Sequence, residues 1–235
     1  MTDRSVDRAA GNRVERGGFT LLEILLAIAI MAAVSTVTFM AFFIVAKAWR
    51  KGLQLSDELH HGDFVMEQLT MALRSTYYPG GKGRRSAYGF WMEDGGSGES
   101  ASDVISWVKL GGALVGRQKS LSGGPHRIVF SIDRDDEGED VVAVKTWSLM
   151  GQPEDFDSED VEAVFLSKHV QGFNCRAAFE LDESGDVDWL DEWEDTNRVP
   201  RFVELTLYLP PLEDGESAVE IKRAVDIPVG DLSWP

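Results

Sequence analysis

Cysteine is nearly absent: Cys175 is the only one in 235 residues. One thiol closes no internal disulfide and by itself holds no metal, so the fold has to stand on packing. Basic residues are scarce too, 23 against 40 acids, for a net charge of −17. That balance leaves no surface to neutralise phosphates and argues against nucleic-acid binding. It suits a face kept soluble by like charge, or one that meets basic partners or cations. Catalytic signatures are missing as well. There is no H-E-x-x-H, nucleophile elbow, P-loop or paired-cysteine motif, and "GGKGRR" at 80–85 lacks the spacing of a phosphate loop. His60 and His61 are adjacent, so a helix points them in different directions, and His126 and His169 stand alone. No catalytic group, and hence no enzyme, is expected.

The longest absence is of charge. From Ile24 to Ala46 no residue is ionisable, and no proline or glycine interrupts Phe19 to Lys51. As a helix the uncharged run spans roughly 35 Å, enough to cross a bilayer core. Beyond it Leu55, Leu59, Met66, Leu69, Leu73 and Tyr77 recur at helical spacing with acids between them, which predicts an amphipathic continuation. Pro79 and the glycines of "YYPGGKG" end it.

After Gly80 the period falls to two. Strands are predicted over Tyr88–Met92, Val104–Leu110, Arg127–Asp133, Val141–Leu149, Val161–Ser167, Phe173–Leu181, Phe202–Leu209 and Val219–Ile227. No helical crossovers separate them, so hairpins and antiparallel pairing follow, in an α+β class with one long N-terminal helix. Hydrophobic content of 43% supports a real core.

What breaks the apolar run at its start is a single acid, Glu23, within "RGGFTLLEILLAIAI". A charge deep in a bilayer costs on the order of 3 kcal/mol, so an unpaired acid there calls for a function. Two roles are open. Thr20 and Glu23 have the spacing of a capping box, with the acid also suiting the helix dipole. Alternatively, the carboxylate meets the terminal amine of a neighbouring subunit, each cancelling the other's desolvation and fixing register. The capping role explains the glutamate but not the glycine pair.

The N-terminus admits three processing readings. A secretory signal peptide would use Ala27-Ile28-Ala29, but cutting there leaves Ile30 to Ala46 as an apolar end. An uncleaved anchor leaves "GGFTLLE" unexplained. The third is cleavage between Gly18 and Phe19. The stretch "GGFTLLEILLAIAI" resembles the class III signal of type IV prepilins and type II secretion pseudopilins. The resemblance implies that a prepilin peptidase cuts after Gly18, that Phe19 is methylated at its new amine, and that Glu23 aligns the subunit during assembly. It implies a leader over 1–18, a transmembrane half-helix over 19–47, an amphipathic periplasmic half over 48–78 and a β-rich periplasmic domain over 79–235, the pseudopilin fold. Arg4, Arg8, Arg13 and Arg16 before the helix nearly balance Lys47, Arg50 and Lys51 after it. An N-terminus in the cytoplasm therefore rests on processing rather than on charge.

A second stretch, "FNCRAAFELDESGDVDWLDEWEDTNRVPRFVELTLYLP", resembles the J-type minor pseudopilins, the GspJ family. It has a strand, an acidic loop with Trp189 and Trp193, and Pro200 leading into an apolar strand. Glu23 and the chain length argue against the K-, H- and I-type subunits. The resemblance implies an inner-membrane protein of the type II secretion pseudopilus tip. Its partners would be the I-, K- and H-type minor pseudopilins, the major pseudopilin and the peptidase. The alternatives are a minor type IV pilin of the PilW-like kind, or an anchored calcium-binding or sensor domain. For the last, "DRDDEGED" places Asp133, Asp135, Glu137 and Gly138 near the positions of a calcium loop, but Val144 stands where the bidentate acid belongs. Asp182, Asp186, Asp188, Asp191 and Glu192 form a second acidic loop. Surface turns are the expected role of both, with no metal or cofactor. The tryptophans, four apart, would pack a helical turn on the sheet.

Overall fold

The computed structural model describes residues 18–79, 87–115, 121, 123–179, 187–211 and 215–230. Helix α1 spans Leu21–Arg74. Its contacts divide the chain into two units that meet between Arg50 and Lys51. The first half of α1 is exposed, and it is long and apolar enough to cross a membrane. Two of its polar side chains are turned onto the helix itself. Thr36 Oγ1 donates to Ala32 O and Thr38 Oγ1 to Val34 O, both at 2.8 Å, so neither hydroxyl needs water.

The second half buries Gly62, Val65, Met66, Leu69, Thr70, Ala72 and Leu73, the 3–4 spacing of one helix face. Leu69 is wholly buried, a gain of about 2 kcal/mol over exposure. The helix ends at Arg74, short of the proline expected to stop it. Ser75 Oγ and Thr76 Oγ1 donate to Ala72 O and Leu73 O. The backbone then pairs with the sheet, Tyr77 N donating to Val108 O at 2.8 Å. Tyr77 thus follows the helix rather than closing its stripe.

Among the described residues eight strands follow, all near their expected places: β1 (Trp91–Glu93), β2 (Val104–Lys109), β3 (His126–Arg134), β4 (Asp140–Ser148), β5 (Val164–Ser167), β6 (Gly172–Ala178), β7 (Phe202–Leu209) and β8 (Val219–Asp226). They form two antiparallel sheets, ordered β1-β2-β3-β4-β5 and β6-β7-β8. Alternation sends Ile128, Phe130, Val142 and Val144 inward from one sheet, and Phe173, Cys175, Val203, Leu205 and Leu207 from the other. With Met66, Leu69 and Leu73 they make one core. Trp107, fully buried, donates Nε1 to Ala72 O at 3.2 Å and ties β2 to the helix.

Two joints link the sheets. Ser102 pairs in parallel with Phe173. Asp103, 1% exposed, accepts from Gly95 N at 2.8 Å and from Cys175 N at 2.6 Å. Burial raises its carboxyl to about 6, against the pull of those two amides. The second joint is the tryptophan segment. It is extended, not a helical turn: Leu190 pairs with Ala177 of β6, and Trp193 pairs with Met92 of β1. Trp193 is buried in the core, while Trp189 is half-buried beneath the Arg176 guanidinium, 5.6 Å from its ring centre. Gly89 passes so close to this region that a Cβ would lie 1.6 Å from Thr196 O.

Candidate processing and assembly site

Gly18 and Phe19 precede the first helical residue, and both are exposed, Phe19 to 82%. Nothing lies within 4 Å of where a Gly18 Cβ would stand, and its φ is not in the left-handed region. Neither a close approach nor a special backbone therefore asks for glycine there. The bond between Gly18 and Phe19 lies outside the helix, which begins at Leu21.

Thr20 and Glu23 close the capping box. Glu23 N donates to Thr20 Oγ1 at 3.3 Å, and Thr20 N donates to Glu23 Oε2 at 3.2 Å. Ile24 N donates to Thr20 O at 3.3 Å, the first bond of the helix. Two of the amides that every helix start leaves unpaired are so satisfied, and the acid faces the positive end of the dipole. A cut after Gly18 would create an ammonium at Phe19, beside that same positive end. Like signs would then crowd one turn, with Glu23 as the nearest compensating charge in the sequence.

Residues 15–39 match the family model described as the prokaryotic N-terminal methylation motif. The chain carries a prepilin-like signal. No curated protein and no solved structure matches the chain. The match covers the N-terminal signal, of the kind that type IV pilin- and pseudopilin-like proteins carry, and the apolar helix behind it is compatible with single-pass anchoring.

Other candidates gather differently from the prepilin-like end. Asp135, Glu137 and Glu139 bring one carboxylate oxygen each within 4.8 Å, the one such group among the described residues. Asp135 Oδ1 is engaged by the turn itself, accepting from Glu137 N at 2.9 Å and Glu139 N at 3.0 Å. Glu139 was missed by the calcium-loop spacing because the hairpin, not a linear register, folds it back. Asp133 lies on β3, outside the group. Of the second acidic loop, Asp182 and Asp186 lie outside the described residues, as does "GGKGRR".

His169 does not stand alone. Its ring lies on that of His61, centroids 4.0 Å apart and planes 4° apart, and its Nδ1 is 2.9 Å from Glu58 Oε2. His126 is buried with Nδ1 donating to Gly124 O at 2.9 Å, and burial lowers its pKa. Opposite it on β2, Lys109 is also buried. Its Nζ donates to Leu110 O and Gly111 O, and desolvation brings it down to about 8.

Proposed function

We propose that this chain is a minor pseudopilin of a type II secretion system, made as a prepilin, cut after Gly18, methylated at Phe19 and assembled through its apolar helix. The observation that carries the reading is a glycine without structural reason placed before a capped helix whose apolar first half holds a single acid, in its first turn. The acid serves the free subunit as a cap. In the filament it meets the amine of a neighbour's Phe19, setting register more than stability. The role is structural rather than catalytic, with the helix in the inner membrane and the β-rich unit in the periplasm. Partners would be the I-, K- and H-type subunits at the tip, with the major pseudopilin below.

The J-type assignment is supported by the order β6, tryptophan segment, buried Pro200 and β7, the order that the family resemblance led one to expect. Mass spectrometry of the membrane-extracted protein tests the reading. A mature chain beginning at methylated Phe19 is expected, and a chain retaining its leader sinks it. Deletion of the gene then separates the filament types: export across the outer membrane should stop, and loss of DNA uptake or motility instead would reassign the chain to a pilus.

A further inference from the structure

Each sheet has two borders, and they are not treated alike. The outer side of β1 is paired by Trp193, and that of β6 by Leu190. The border at β8 carries Glu220, Lys222, Arg223 and Asp226, charges of the kind that keep a sheet edge from pairing with other chains. The border at β5 has no such guard. Val164, Phe165 and Leu166 are consecutive and exposed, without charge or proline, and among the described residues no strand pairs with their outer side. Because successive side chains point to opposite faces, the strand shows apolar surface on both. On one face Leu166 joins Phe64, Val65, Gln68, Gly112 and Leu114 around a groove of 240 Å³. The chain entering β5 carries Glu154, Asp155, Asp157, Glu159, Asp160 and Glu162, and no lysine or arginine lies between Lys145 and Lys168.

We propose that β5 is a docking edge for an extended segment of another protein, apolar in alternation and flanked by lysine or arginine. The segment adds a strand to the five-stranded sheet. Its main chain fills the open edge, alternate side chains enter the groove beside Leu166, and the others cover Phe165. Its cations meet the acidic run and select it over acidic competitors. A second copy of this chain is a poor occupant. It brings the same six acids and offers Lys168 and His169, which are already held by Glu139 at 3.7 Å and Glu58 at 2.9 Å.

The test uses the full-length chain in detergent and a fluorescent synthetic peptide of alternating valine and lysine. The peptide should bind, slow hydrogen exchange at the amides of 164–167, and lose affinity as salt is raised, while a valine–glutamate peptide should not bind. Leu166→Asp makes the surface more acidic, so plain charge attraction would tighten binding; seating in the groove predicts about tenfold weaker binding. Phe64→Ser, at an exposed helix position, should weaken it as well. Equal or tighter binding by Leu166→Asp overturns the proposal. So does unchanged exchange at 164–167, or a chain that by itself sediments as a dimer with those amides protected.

Discussion

The carboxylate of Asp103 accepts the amide of Cys175 at 2.6 Å, from a site almost closed to water, and so locks the start of β2 to the middle of β6. With its folded pKa raised to about 6 from 3.8, the folded state holds this proton more tightly than the unfolded chain does. The resulting stabilisation is complete below pH 3.8 and is lost as pH rises through about 6. Two units amount to about 3 kcal/mol. Urea unfolding of the detergent-solubilised chain, compared with Asp103→Asn at about pH 4 and about pH 7, should show a steeper loss of stability in the native chain. Parallel pH profiles for the two proteins would refute it.

Two glycines should answer substitution in opposite ways. Gly89→Ala forces a methyl onto Thr196 O, a backbone atom with little room to yield, and should cost about 2–3 kcal/mol. Gly18→Ala meets nothing and should leave the unfolding midpoint unchanged. If the processing role holds, it should nonetheless slow leader removal, read as a shift in mass of the extracted protein.

Trp193→Ala removes a core side chain and the anchor of a pairing to Met92, and should cost about 3–5 kcal/mol. Trp189→Ala, half-buried under Arg176, should cost far less. Chemical denaturation of both variants measures the ratio, and equal losses would contradict the extended placement of the segment.

Cys175 is buried on β6, and desolvation raises its thiol well above the ordinary range. Alkylating reagents act on the thiolate, so the native chain should resist them at neutral pH and react only once unfolded. Labelling that keeps pace with a free-thiol standard in the native state would show the β6 face to be open.

The strands were legible where alternation is bounded by turn-forming residues, as in Phe173, Cys175 and Ala177 after Gly172, or Val203, Leu205 and Leu207 between Pro200 and Pro210. The signal was legible because Gly18, Phe19, Thr20 and Glu23 lie close together in sequence, so the motif is local. What periodicity does not carry is long-range pairing. His61 and His169 meet only because the end of β5 is brought to the helix. Trp189 and Trp193 suggest a helical turn by spacing alone, but two sheet edges with open amides pull that segment straight. The helix end moved for a related reason: Thr76 gains a strand partner in Lys109 before Pro79 is reached.

The reciprocal bonds of Thr20 and Glu23 mean that this acid is never idle in the lone molecule. An incoming amine gains only the difference between its own attraction and that of the donors it evicts, about 1 kcal/mol for a typical cap. Recruitment at this turn would be an exchange of partners, and Thr20→Ala, which removes the hydroxyl that donates to Glu23 Oε2 at 3.4 Å while keeping the amide, should make the carboxylate easier, not harder, for a newcomer to claim.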